Sequence, residues 1–122
     1  MIIGTIKETE ADESRVAITP DTCKKFVEKG FEVCIEKNAG IQASFEDSSY
    51  RNSGGKILDR DEIIKKVDVL LAVNTIPKPE EIKKFKIGIT IIGMFNPYEN
   101  FKKLEEVLGG KLNLITLDFL PR

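Results

Sequence analysis

Arg15 is the side chain here best suited to hold a carboxylate or a phosphate, because a guanidinium presents paired donors in a rigid plane. The other arginines are Arg51, Arg60 and Arg122, so a bidentate anion clamp has few candidates. Arg15 follows a strand-like run, Ile2-Ile3-Gly4-Thr5-Ile6-Lys7-Glu8, and a polar loop, Thr9-Glu10-Ala11-Asp12-Glu13. Ser14-Arg15-Val16-Ala17-Ile18-Thr19-Pro20 then leads into a helix start. Open α/β folds bind ligands outside the carboxyl ends of their strands, which is where such a loop lies. Asn74 has the same kind of position, just beyond the apolar run Asp68-Val69-Leu70-Leu71-Ala72-Val73. Each residue has a plainer reading. Arg15 can bridge to Glu8, Glu10 or Glu13 as a surface pair worth little. Asn74 can be a turn former, and Lys7 and Glu8 can simply solvate their loop.

Other chemistry is missing. The chain has no histidine, so the commonest general acid or base is unavailable. No GxGxxG follows a strand, and Gly54-Gly55 and Gly109-Gly110 lack that spacing, so the usual pyrophosphate cradle is not formed. Cys23 and Cys34 make neither a CxxC nor a zinc spacing and read as small buried hydrophobes. Tyr50 and Phe45 read as core or interface aromatics. We therefore assign no catalytic residue and no metal ligand. A net charge of -1 with interspersed signs gives no reason to expect nucleic acid or an anionic membrane surface. No apolar run approaches a membrane span and no signal peptide is legible. Without a disulfide framework, the chain reads as cytosolic or matrix-like.

The elements that position these residues alternate regularly. Thr19 caps a helix with Pro20 at its first position, and Gly30 stops it. Residues 31–36 alternate as a strand; a loop over 41–45 leads to a short helix over 46–53. Residues 56–58 form a brief strand. Asp59 with Glu62 resembles a capping box opening a helix through Val67. The run 68–73 reads as a central strand buried on both faces. Pro79 starts a helix through Phe85, and 87–93 is another buried strand. Asn96 caps a helix through Phe101, Leu104, Val107 and Leu108, and 112–117 is the final strand. Such alternation predicts a single α/β domain of 122 residues, doubly wound in a flavodoxin-like or Rossmann-like manner, with a mainly parallel sheet and helices on both faces.

The residues Ile3-Gly4, Lys7-Glu8 and Arg15-Val16-Ala17-Ile18-Thr19-Pro20 resemble the N-terminal signature of the alanine dehydrogenase and nicotinamide nucleotide transhydrogenase family. The likeness continues through Gly30-Phe31-Glu32-Val33, Glu36-Lys37-Asn38-Ala39-Gly40, Ala43-Ser44-Phe45 with Asp47 and Tyr50, Gly54-Gly55 and Asp68-Val69-Leu70-Leu71. In alanine dehydrogenases a substrate-binding lysine follows the strand equivalent to 68–73, and a catalytic histidine follows the next strand. Here those places hold Asn74 and Gly93-Met94-Phe95-Asn96, none of which can do either task. Hydride exchange between two nicotinamides needs no such proton transfer. The tail Leu117-Asp118-Phe119-Leu120-Pro121-Arg122 also resembles the transhydrogenase stretch. The alpha subunit of the transhydrogenase branch is therefore the nearer resemblance.

That resemblance implies residues 1–122 are the first of two domains enclosing NAD(H), the second, glycine-fingerprint domain being absent here. The full protein would be a proton-translocating NAD(P) transhydrogenase. Arg122 maps to an arginine beside the nicotinamide end, and Arg15 and Asn74 would join it as cofactor-binding residues. The expected partners are the second NAD-binding domain and the membrane and NADP-binding subunits, with this component peripheral on the cytoplasmic side and not itself inserted. In the family a later helix packs back on this domain. An open sheet face or edge is thus expected here, with homodimerisation to cover it. The chain alone is expected to be soluble, inactive and without bound NADH. The alternatives are a split subunit acting as a docking or assembly module, and the N-terminal domain of an alanine dehydrogenase-like enzyme.

Overall fold

Ile2, Ile3, Val33, Ile35, Val69, Ile91 and Ile92 carry stiff β-branched side chains that favour extended backbone, and all lie in one sheet. The computed structural model describes residues 1–96, 100, 102, 105 and 112–117. Its strands are β1 (Ile2–Thr5), β2 (Glu32–Glu36), β3 (Lys56–Leu58), β4 (Val69–Leu71), β5 (Thr90–Gly93) and β6 (Asn113–Thr116). They pair in the order β3-β2-β1-β4-β5-β6, every neighbour parallel. The chain winds outward from β1 to β3, then crosses back to lay β4 on the other side of β1. That is the doubly wound α/β fold, with the Rossmann-type strand order and its switch point between β1 and β4.

The helices divide between the two faces. Cys23 of α1 (Pro20–Glu28) and Tyr50 of α2 (Asp47–Asn52) pack with Ile3, Val33 and Ile35. Ile63 and Ile64 of α3 (Arg60–Lys66) and Ile82 of α4 (Pro79–Ile82) pack with Cys34, Leu70 and Ile91 on the opposite face. Val33 and Ile35 face one way and Cys34 the other, as a strand's two-residue period requires. Tyr50 is core, its hydroxyl donating to the Ile18 carbonyl at 2.7 Å. Gly4 lets α3 sit tight on β1: a Cβ there would lie 2.4 Å from Val67 Cγ1.

Several local expectations hold and several are corrected. The Thr19 hydroxyl caps α1, accepting from Thr22 N at 3.2 Å, with Pro20 in the first turn. Gly30 follows at φ +93, a left-handed conformation that suits glycine. Asp59 stands at the N-cap of α3 without a side-chain hydrogen bond, so the expected capping box does not form. The helix from Pro79 ends at Ile82, although Phe85 beyond it remains buried. Ile87, expected within a strand, is 84% exposed and precedes Gly88 at φ +83; this turn feeds the chain into β5. The helix expected from Asn96 through Leu108 lies outside the described residues, apart from isolated positions.

Among the described residues, no helix covers one part of the sheet. The helices α1 and α2 lie over β1, β2 and β3, while α3 and α4 lie on the other side. Leu71, Ile92 and Ile115 stand side by side in register on the α1/α2 side. Leu71 and Ile92 are half-buried, Ile115 is 46% exposed and Leu117 41%. Thus β4, expected to be buried on both faces, is covered fully on one only.

Candidate functional site

At the switch point the segments after β1 and β4 diverge, and the polar groups of both gather in the gap. Glu8, just past β1, is 9% exposed. Its carboxylate accepts from the backbone N–H groups of Val73 at 3.1 Å, Asn74 at 2.8 Å and Thr75 at 2.9 Å. Thr9 N donates to Thr75 Oγ1 at 2.8 Å, closing a second link between the loops. Glu8 therefore does not merely solvate its loop.

Arg15 reaches the carboxyl-terminal rim, as expected. It lines an apolar hollow of about 380 Å³ with Leu71, Val73, Ile92 and Met94. Its side chain is 63% exposed, and its fork is engaged by Glu13, with Nε and Nη2 each donating at 2.9 Å. The plainer reading, an ion pair within the loop, is thus realised with Glu13. The hydrogen bond from Arg15 holds the Glu13 carboxyl below its usual range, and Glu13 pushes Arg15 upward.

Asn74 joins this arrangement by donating Nδ2 to Glu13 Oε1 at 2.8 Å. Its own Oδ1 is buried with no hydrogen-bond partner among the described residues. Beside it a cleft of about 460 Å³ is lined by Glu10, Asp12, Glu13, Asn74, Phe95 and Asn96 among others. Arg15, Glu13 and Asn74 are thereby brought together at one end of the strands. Arg122 lies outside the described residues. Among the described residues no cluster of histidine, cysteine or acidic side chains could hold a metal ion.

A further network braces the rim from the α3/α4 side. Arg60 donates to Glu81 from Nε at 2.7 Å and Nη2 at 3.0 Å, and its Nη1 lies 3.5 Å from Glu36. Glu36 accepts from Lys7 N at 2.8 Å. Burial is the largest influence on the Glu81 carboxyl and would raise it, but the Arg60 hydrogen bond, the Lys78 N–H and the charges of both together outweigh it, and the net direction is down. Sequence reasoning named Glu13 only as one of three acids that could pair with Arg15, missed its bond to Asn74 and the role of Arg60, and left Glu8 undecided. The available signal was an acid three residues past a strand, opposite a loop whose N–H groups have no strand to pair with.

A family model described as "Alanine dehydrogenase/PNT, N-terminal domain" matches residues 4–122. This chain belongs to that family. It is 35% identical over its whole length to the NAD(P) transhydrogenase subunit alpha of Haemophilus influenzae, of which it covers 23%. An alanine dehydrogenase of Staphylococcus saprophyticus is 35% identical over 88% of this chain, which covers 29% of that relative. The crystal structure of transhydrogenase from Sinorhizobium meliloti superposes with TM-score 0.91 at 29% identity, covering 100% of this chain and 36% of that one. The likeness to the alanine dehydrogenase/PNT family is thus one of fold and sequence together. The chain spans between about a quarter and a third of the length of these relatives.

The described residues offer no cradle for the pyrophosphate of a dinucleotide. No glycine-rich turn opens α1, and the adjacent N–H groups of 73–75 are already engaged by Glu8. Arg15 is exposed with its fork held by Glu13, and Asn74 Oδ1 is an acceptor without a partner among the described residues. No helix among the described residues is long and apolar enough to cross a membrane.

Proposed function

We propose that residues 1–122 form one wall of the NAD(H) crevice of a proton-translocating NAD(P) transhydrogenase alpha subunit. The observation that carries this reading is the rim itself: Arg15 and Asn74 both bond to Glu13 there, while the chain holds no histidine to serve a dehydrogenase. Full-length similarity to a transhydrogenase subunit supports it, against 88% coverage for the alanine dehydrogenase above. In this reading Arg15, Asn74 and Arg122 contact the cofactor, and no residue of this chain is catalytic. NAD(H), when bound, supplies the hydride; this wall orients its nicotinamide end. A second, glycine-bearing domain supplies the pyrophosphate site, and membrane and NADP-binding subunits complete a peripheral assembly on the cytoplasmic side.

In this reading residues 1–122 alone are inactive and bind NADH too weakly to measure, because they supply one wall of the crevice. Titration calorimetry of the chain with NADH tests this, and micromolar binding would overturn it. For the longer protein, the assay is hydride exchange between nicotinamide analogues; alanine deamination with no such exchange would favour the dehydrogenase reading. The chain on its own is a homodimer through the open face around Ile92, Ile115 and Leu117, which favours a docking role should it prove to be a separate subunit.

A further inference from the structure

Consecutive backbone N–H groups that point into one concavity make an anion-binding nest. Val73, Asn74 and Thr75 form such a concavity where β4 ends, and its occupant is the chain's own Glu8 carboxylate. The reason lies in the topology. While β1 and β4 run together, Thr5 is in register with Leu71 and the ladder satisfies the backbone. Beyond that point the chain leaves toward opposite faces, and the ladder stops.

Two backbone hydrogen bonds still tie the far side of β4 to β5, from Ala72 N to the Ile92 carbonyl at 2.9 Å and from Met94 N to the Val73 carbonyl at 2.7 Å. On the β1 side no strand among the described residues remains to accept from residues 73–75. Thr75 is 2% exposed and Val73 6%, so water cannot readily replace a lost acceptor. One carboxylate oxygen serves Asn74 and Thr75 and the other serves Val73.

We propose that Glu8 fills a genuine carboxylate-binding nest and is the positioning residue that sets Asn74 at the rim. A small carboxylate from solution takes the same place once the Glu8 side chain is shortened. This inference stands apart from the transhydrogenase reading, since it concerns an anion held within this chain and its test involves no nucleotide.

The test uses the full chain with Glu8→Ala and Glu8→Gln, sodium formate as the probe and sodium chloride at equal ionic strength as the control. Glu8→Ala is expected to melt below the parent chain and to regain melting temperature with formate but not with chloride. In amide proton spectra the signals of Val73, Asn74 and Thr75 should move and saturate together as formate is added. Equal responses to formate and chloride, or unmoved signals at 73–75, would overturn the proposal. If Glu8→Ala does not fold, Glu8→Gln still decides, because it keeps the volume and removes the charge. Hydrogen exchange at 73–75 should then quicken at least about tenfold, as expected when charge-assisted bonds become neutral ones. Unchanged exchange there would count against a charged occupant.

Discussion

Asn74 donates its side-chain amide to Glu13 at 2.8 Å while its own carbonyl oxygen is buried without a partner among the described residues. The residue is half satisfied, and the two halves have opposite consequences. Asn74→Ala removes a hydrogen bond to a carboxylate together with an uncompensated acceptor, so the net stability change should stay within about 1 kcal/mol. Asn74→Asp places a second carboxylate against Glu13 and should cost about 2 kcal/mol near neutral pH. Urea denaturation of the two variants measures the difference; equal stabilities would contradict the geometry.

Arg15 contributes to the rim and little to the fold. Its guanidinium is exposed and pairs only two residues away, so Arg15→Gln should lower the melting temperature only slightly at neutral pH. The Glu13 carboxyl should instead rise toward its ordinary value, because the hydrogen bond from Arg15 is the main cause of its lowering. Carbon-detected titration of Glu13 in both proteins follows this directly.

Gly4 is a packing requirement rather than a turn. A Cβ there would meet Val67 Cγ1 at 2.4 Å and Ile63 Cγ2 at 3.1 Å. Gly4→Ala should cost about 1–3 kcal/mol by overpacking. Val67→Ala in the same chain should recover part of that loss, and a double-mutant cycle reads the coupling.

Stability should be nearly flat between about pH 6 and pH 8, since no histidine titrates there. Several carboxyls lie below their ordinary values in the fold: Arg15 lowers Glu13, Lys56 lowers Glu32, and the Ile2 N–H lowers Asp68. Asp61 is lowered to about 2 by Lys84 and Lys65. The folded chain then binds fewer protons than the unfolded one as these groups titrate, so their contribution is present above the unfolded values of 3.8 to 4.5 and is lost as pH falls. At the other end, burial raises Cys23 and Cys34 from 9.0, and Tyr50 from 10.0 to about 12. The fold retains these protons while the unfolded chain releases them, so stability declines again above about pH 9. A series of thermal melts should trace this plateau with two falling shoulders.

Replacing Ile115 and Leu117 with lysine should shift the expected dimer to monomer without lowering the melting temperature of the monomer. Both side chains already face outward. Light scattering across a concentration series reads the change, and a parent chain that stays monomeric at high concentration would remove the dimer proposal.

The fold was legible because its signals are local and repeated. β-branched runs, Thr19-Pro20 at a helix start and Gly30 at its end each specify one element, and their alternation specifies parallel pairing. Ile87 misled because an apolar residue before glycine reads alike in a strand and in a turn; only the left-handed Gly88 separates them. Asp59 misled because a capping box depends on rotamers that spacing does not fix. At the rim, Arg15 and Asn74 were legible from chemistry and place. The role of Glu8 was not, because its partners lie 65 to 67 residues away, and which loop faces which follows from the strand order.

That strand order also sets a schedule for folding. β1 pairs with β2 early in the chain, but its other neighbour is β4, with Ile3 opposite Val69. During synthesis the first βαβαβ half can gather around α1 and α2 while one edge of its innermost strand waits, bare, for a segment not yet made. Through that interval the nascent chain presents a sticky ladder and the surface later covered by α3, which is when chaperone capture or misassociation is most favoured.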